Sequence, residues 1–339
     1  MNPSPSPTTP LSSPRRILIV KPSSLGDIVH TLPAVSLVRE RWPEAEIRWL
    51  TNPEWVPLLE GNSDLDGTIL FPRRELRGRP LAQLAWLREV RAAYRADLVL
   101  DFQGLLRSAI IGRACCAPGG ELIGLGDARE GASLFYHRRA AITRGEHAVE
   151  RYLKLVGLLG LERGATLRWP MPQGSLPAGW PPESAPFLLL HPFARGEGKS
   201  LTVEDIEQFC RALECPIVLV GRSDLNVTPL NRLDHVFNYL NETTIPEMIA
   251  LMREAAAVVS VDSGPMHIAA ALGKPLLGIH TWSDPARVGP YDPEAWVLKD
   301  QMLLRMRTLH SKTEKRQTAP DMNAVAAFVR ESLLGARSD

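Results

Sequence analysis

Three stretches of this chain place polar residues where an apolar run gives way to a helix-like one. In RILIVKPSSLGDIVHTLPA (16–34) the run ends at Val20, and a Lys-Pro-Ser-Ser turn that includes Ser23 and Ser24 follows. Gly26 then permits close backbone approach, and Asp27 stands in the first helical turn. A carboxylate there can cap a helix, and it can also take a proton from a bound hydroxyl. In AVVSVDSGPMHIAAALG (257–273) the run ends at Val261, Asp262, Ser263 and Gly264 form a turn, and Pro265 suits the first helical position. The N–H groups of Gly264 and Met266, with the Ser263 hydroxyl and His267 in the first turn, could hold a phosphate or diphosphate on the positive end of the helix. The third stretch, LLLHPFARGEGKSLTVEDIEQF (188–209), carries Lys199 just ahead of a helix. GEGKS invites a P-loop reading, but that pattern needs glycine where the chain has Phe193, so Lys199 is read as a point-charge phosphate contact. Each residue also fits a plain structural role: Asp27 and Asp262 as caps, His267 as a satisfied helix residue, Lys199 as a solvated lysine.

The elements that must position these residues follow a repeating rhythm. Apolar runs at 16–20, 46–50, 67–71, 96–102 and 121–125 alternate with segments such as 29–42 and 81–94 whose apolar residues recur three and four apart. That is βαβα order, and it implies a parallel sheet. The stretch 166–186 contains six prolines and reads as a linker. Strand-like runs then resume at 187–193, 216–221, 257–262 and 275–280, with helical segments at 203–213 and 246–255 between them. The expected fold class is therefore α/β, with two Rossmann-like parallel-sheet domains. A leader over 1–15 precedes an N-terminal domain at 16–170, a linker at 171–186, a C-terminal domain at 187–318 and a final helix over 319–339 that could cross back to the first lobe. In parallel α/β sheets ligands gather beyond the carboxyl ends of strands, which is where all three junctions fall.

Composition removes several function classes. The 339 residues suit two domains and are 45% hydrophobic, so both can bury a core. Net charge is +1, which gives no global field of the kind a nucleic-acid binder presents. The four cysteines include no CxxC pair and are read as reduced and mostly buried. The Pro/Ser/Thr-rich start lacks a signal segment and no stretch approaches about 18 apolar residues, so a cytoplasmic protein is expected, with peripheral membrane contact left open. No GxGxxG follows a strand with an acidic residue about 20 positions on, and no GxSxG elbow occurs.

KPSSLGDIVHTLPA and VSVDSGPMHIAAALGKP together resemble glycosyltransferase family 9, the bacterial ADP-heptose:lipopolysaccharide heptosyltransferases. LDFQGLLRSA (100–109), AREGASLFYHRR (128–139) and GEHAVERY (145–152) are similar to its heptosyltransferase I branch, and the likeness runs from about residue 16 to 335. The resemblance implies a GT-B fold, in which the two domains face each other across a cleft. It implies Asp27 as general base, with Ser23, Ser24 and Gly26 in the loop beside it, and Lys199, Thr243, Asp262, Ser263, Gly264 and His267 at the donor's ADP. Heptose would pass with inversion, in one displacement, from ADP-heptose to the Kdo region of lipid A at the inner membrane surface. Arg73, Arg74, Arg77, Gln103, Arg107, His137 and Arg138 would meet the acceptor's carboxylates and phosphates. No tightly bound cofactor is implied, and without a DxD-like pair no divalent metal is required. No nucleic-acid partner is expected, and a monomer is. The chain departs from the family pattern at Ala194, at GRSDLN (221–226), where Asp224 loosely replaces an acidic ribose contact, and at HTWSDPARVGPY (280–291). Those departures leave room for another nucleotide sugar. A non-catalytic two-lobed binding protein and a nucleotide-sugar epimerase are the readings from other classes.

Overall fold

The alternation of apolar runs with amphipathic segments resolves into two sheets, each flanked by helices. The structure, a computed structural model, describes residues 13–180, 186–196, 198–225, 230, 232–309 and 319–335. In the first lobe β1 (Arg16–Val20), β2 (Glu46–Thr51), β3 (Gly67–Leu70), β4 (Ala96–Asp101), β5 (Cys116–Leu125) and β6 (Arg138–Ala140) are all parallel, in the order β3-β2-β1-β4-β5-β6. Around them lie α1 (Leu25–Arg41), α2 (Val56–Leu59), α3 (Arg73–Leu76), α4 (Pro80–Ala93), α5 (Leu106–Cys115) and α6 (Ala148–Gly157).

The second lobe contains β7 (Leu188–His191), β8 (Ile217–Gly221), β9 (Val236–Leu240), β10 (Ala257–Val261), β11 (Leu276–Ile279), β12 (Trp296–Lys299) and β13 (Met302–Arg305). Their order is β13-β12-β11-β10-β7-β8-β9, with β13 antiparallel to β12 at one edge. Its helices are α7 (Val203–Arg211), α8 (Ile245–Glu254), α9 (Gly264–Ala271), α10 (Pro285–Val288) and α11 (Met322–Phe328). Central strands such as β7, β10 and β11 are buried along their whole length, as parallel strands covered on both faces must be.

Strand order reverses beside β1 in the first sheet and beside β10 in the second, and crevices open at such switch points. The helix after β1 is α1 and the helix after β10 is α9. These two helices pack against each other, so their N-termini meet between the lobes. A single apolar cluster runs through this contact, joining Ile28, Leu32 and Val35 of α1 to Met266, Ile268 and Ala269 of α9.

Three expectations need comment. The leader read over 1–15 lies outside the described residues except for 13–15, where the Arg15 amide donates to the Asp97 carboxylate at 2.8 Å. Between α6 and β7 the described residues form no strand or helix, and 181–185 lie outside them. The final helix does not cross to the first lobe. Its stripe of Met322, Val325, Ala326, Val329 and Leu333 joins Ile206, Phe209 and Cys210 of α7 in the core of the second lobe, with Phe328 edge-on to Trp296 at 4.9 Å. An apolar stripe beside its own sheet is buried at less cost than one carried across the cleft.

Candidate active site between the two lobes

The turn after β1 is built around Asp27. Its Oδ2 accepts from the Ser24 amide at 3.1 Å and the Ser24 hydroxyl at 2.7 Å, while Oδ1 accepts from the Tyr152 hydroxyl at 3.3 Å and lies 3.7 Å from the Lys21 ammonium. The cap role is thus met, and it leaves the side chain available for chemistry: the capping geometry fixes the carboxylate, and about 40% of it stays exposed. Burial pushes its pKa up, but Lys21, the Ser24 hydrogen bonds and nearby His267 outweigh burial and hold the carboxyl below its ordinary value. Lys21 itself is buried, donates to the Phe102 carbonyl at 3.2 Å and lies over the Tyr152 ring, and burial lowers its pKa.

Across the cleft, α9 begins at Gly264, behind Ser263 and Asp262. Asp262 is bonded to Lys199 at 2.8 Å. A carboxylate repels a diphosphate, and the bond to Lys199 leaves Asp262 placed to hold the ammonium. Burial raises the Asp262 pKa, and His280, Lys199 and Ser283 together bring it below the usual value, which keeps the carboxylate charged. The Ser263 hydroxyl lies 3.2 Å from His191 Nδ1 and 3.1 Å from the Val261 carbonyl, and the Met266 amide donates to the Ser263 carbonyl at 3.2 Å. The expected use of Ser263 and Met266 as anion donors is therefore met by internal bonds, and Gly264 is the amide left at the helix start. His267 is buried and its pKa is driven down to about 4, chiefly by burial. It is neutral at pH 7 and can offer an anion one N–H, not a charge. Its Nδ1 has no protein partner among the described residues.

The two helix starts touch. A β-carbon at Gly26 would fall 2.6 Å from the His267 ring, and one at Gly264 would fall 2.6 Å from Leu25, so both positions require glycine for the approach. Behind this contact His267, His30 and His147 lie edge to face in a row, with ring centroids 4.2 and 5.0 Å apart. A cavity of about 1010 Å³ opens in front of it, walled from the first lobe by Ser24, Gly26, Asp27 and Arg74, and from the second by Lys199, Thr243, Asp262, Ser263, Gly264 and His267. Asp27 and the whole expected donor set share this wall.

The residues expected at the acceptor divide. Arg74 lines the cavity, 3.6 Å from Glu54. Ser23 sits half-buried in the turn just behind the wall. Arg107 lies near Arg73 at the start of α5, and its pKa is lowered by partial burial and then by that like charge. Arg77 is exposed beyond α3, and Gln103 is half-buried, with its amide donating to Asp101 at 2.9 Å. His137 and Arg138 fasten the edge of the sheet: His137 Nδ1 accepts from the Leu122 amide at 2.8 Å, and Arg138 pairs with Glu121 at 2.8 Å. These two are engaged in β5–β6 structure and are not part of the cavity wall.

Several wall residues carried no sequence signal as site residues: His30, Trp55, His191, Arg222, Trp282 and Arg287. Lys21 could have been found, because a charged residue directly after the buried apolar run 17–20 must be held for a reason. Where an acidic ribose contact was sought, the wall is Gly221 and Arg222, and Asp224 is exposed outside it. Among the described residues no group of three or more His, Cys, Asp or Glu side chains is arranged to hold a metal ion.

Comparison with known proteins agrees with this architecture. Residues 84–318 match the model of glycosyltransferase family 9 (heptosyltransferase). Lipopolysaccharide heptosyltransferase 1 of Salmonella typhimurium is 28% identical over 297 residues, 81% of this chain and 91% of the relative. The enzyme of the same name from Escherichia coli O18:K1:H7 is 28% identical over 332 residues, 94% of this chain and 98% of its own. The solved structure of E. coli heptosyltransferase WaaC with ADP superimposes with a TM-score of 0.74 at 25% identity, covering 93% of this chain and 99% of that one. The two sheets facing across a cleft are the GT-B arrangement of those structures.

Proposed function

The chain belongs to glycosyltransferase family 9 and is a glycosyltransferase, and from that premise we propose that it moves heptose from ADP-heptose to the Kdo inner core of lipid A, with Asp27 as general base. The observation that carries this reading is the single cavity walled by Asp27 on one side and by Lys199, Gly264 and His267 on the other. An acceptor hydroxyl attacks the anomeric carbon as the bond to the diphosphate breaks on the opposite face. The hydroxyl proton passes to Asp27 Oδ1 or Oδ2, and ADP leaves as an anion. One displacement inverts the centre, and no covalent intermediate is formed.

Each step matches a local charge. Asp27 is ionised at neutral pH because Lys21 and Ser24 outweigh its burial, so it is in the state a base requires. Lys199, oriented by Asp262, offers a point charge to the departing phosphate, and the positive end of α9 adds to it. The relatives' names place heptose transfer in lipopolysaccharide assembly. That supports an amphiphilic acceptor, and with it we infer a monomeric enzyme working at the cytoplasmic face of the inner membrane. The test is incubation with ADP-heptose and Kdo-lipid A, with the product read by mass. A product heavier than the acceptor by one heptose is expected; donor consumed without any such product would overturn the reading.

Arg222 in the wall, where relatives are read as holding the ribose with an acidic residue, favours a second version with another nucleotide-activated sugar. Thermal shift separates the two. A ligand at 100 times its dissociation constant adds about 2.7 kcal/mol, so ADP-heptose at saturation raises the melting temperature if it is the donor, and a rival sugar nucleotide does so if it is not.

A further inference from the structure

We propose that the outer face of α4 and α5 docks the first lobe onto an anionic lipid bilayer. Helix α4 turns Ala82, Trp86, Leu87 and Val90 toward the core and leaves Leu81, Leu84, Arg88 and Arg91 on its free side. Among its fourteen residues Val90 is the one that is fully buried. Leu81 is 82% exposed, and Leu134, in the short turn packed on α5, is 86% exposed. Leu106 and Ile110 add a second exposed apolar stripe on α5, which lies beside α4. Single exposed leucines mean little, but five large apolar side chains on adjacent elements of one lobe form a surface that needs an occupant.

The charge around that surface says which one. Residues 73–95 carry seven arginines against two glutamates, on a chain whose net charge is only +1. At the far end of α4 and α5, Arg91, Arg95 and Arg113 converge with Ile110 and Phe135 on a pocket of about 390 Å³. At the cleft end, Arg73, Arg74, Arg77 and Arg79 lie exposed beside the start of α4. Leucines between two belts of arginine fit an interface where apolar side chains enter the acyl boundary and guanidinium groups meet lipid phosphates. A second copy of this chain fits poorly, because a two-fold contact would set these arginines against their own copies. No helix of the described residues is long and apolar enough to cross a membrane, so the contact is interfacial.

The exposed leucines and the Arg91, Arg95 and Arg113 cluster lie outside the cleft wall, and docking is measured with neither donor nor acceptor present, so its failure is separable from failure of the transferase reading. The full chain is sedimented with vesicles of phosphatidylglycerol and phosphatidylcholine, and with phosphatidylcholine alone. Binding to the anionic vesicles alone, weakened by salt, is expected. R91E/R95E/R113E should cut binding roughly 100-fold, at about 1 kcal/mol per arginine, and L81Q/L84Q/L134Q at least about tenfold. Circular dichroism checks that both variants remain folded; these side chains are exposed or at the pocket rim. Equal binding to both kinds of vesicle, or undiminished binding by either variant, overturns the proposal. So does a dimer in light scattering that the leucine variant dissociates while vesicle binding is unchanged.

Discussion

Gly26 of the first lobe lies against the ring of His267 in the second, with room for a hydrogen and not for a methyl group: a β-carbon at Gly26 would stand 2.6 Å from His267 Cδ2 and 3.6 Å from the Gly264 Cα. The ring cannot retreat easily, because His30 lies edge to face with it at 4.2 Å and it is buried. Gly26→Ala is therefore expected to disfavour the closed arrangement of the lobes while leaving each lobe folded, since alanine suits a helix better than glycine. Overpacking of this kind costs about 1–3 kcal/mol, which corresponds to a fall in kcat/KM of roughly 5- to 150-fold. Steady-state kinetics with a melting curve checks it. An unchanged kcat/KM would mean that turnover does not use this contact.

Asp27→Asn keeps an oxygen for the Ser24 amide and hydroxyl, so the cap survives while the proposed base is lost. Turnover should fall by about 10²–10⁴, while ADP-heptose binding, read by calorimetry, stays within a few-fold. Loss of turnover smaller than tenfold would assign the proton to another group.

On the proposed mechanism, Lys21 sets the pH range in which Asp27 can take a proton. The Asp27 carboxyl is pushed up by burial and brought below its ordinary value first by Lys21, so the carboxylate persists as pH falls through 5 and the rate should show no acid limb from this group between pH 5 and 8. Lys21→Met removes the largest downward influence and leaves the burial. The acid limb of kcat/KM is then expected to rise toward neutrality, with Tyr152 and Ser24 still holding the carboxylate in place. Profiles that superimpose for both proteins would show that Lys21 does not govern Asp27.

Much of this site was legible in the sequence because its residues lie at strand-to-helix junctions, where a few residues determine both the turn and the ligand contacts. Asp27, Lys199, Asp262 and His267 were reached from such stretches, and the structure brings them to one wall. The roles were less legible than the positions. That Asp262 bonds Lys199 and that Ser263 bonds His191 are consequences of a fold that closes over residues 63 and 72 positions apart. The strands β6, β9, β12 and β13 escaped notice because each is only three to five residues long and lies at or beside a sheet edge, and β6, Arg-Arg-Ala, has no apolar run to betray it. His137 and Arg138 looked like ligands for an acid because charge alone carries no record of Leu122 or Glu121 beside it.

The bond from Lys199 to Asp262 predicts non-additive losses. Lys199→Ala should weaken ADP binding by about tenfold or more, and Asp262→Asn somewhat less, because the lysine remains but is no longer aimed. The double variant should bind about as poorly as Lys199→Ala alone, giving a coupling of about 0.5–3 kcal/mol in a double-mutant cycle. Strictly additive losses would mean that each side chain meets the nucleotide by itself.

Three buried histidines make the fold sensitive to mild acid. His191, His267 and His280 each have a pKa driven down to about 4, in every case chiefly by burial. His267 is lowered further by His147 and His280 by Lys299, while Asp262 pulls both the other way. Folded, all three stay neutral down to about pH 4; unfolded, each takes a proton near 6.5. The stability they confer is therefore complete above pH 6.5 and is lost as pH falls from 6.5 toward 4. Between pH 7 and 5.5 the loss is about 1.3 kcal/mol for each group, or about 4 kcal/mol for three, a large part of a typical domain's stability. Urea unfolding at the two pH values measures it directly, with carboxylate titration contributing little above pH 5.5. His280→Gln, at a position bonded to Ser283 at 2.9 Å, should remove about 1.3 kcal/mol of the difference, to which His30 and His147, also lowered chiefly by burial, add in the same direction. A midpoint that does not move between pH 7 and 5.5 would mean that these rings reach solvent, and with them the floor of the cleft on which the transfer chemistry depends.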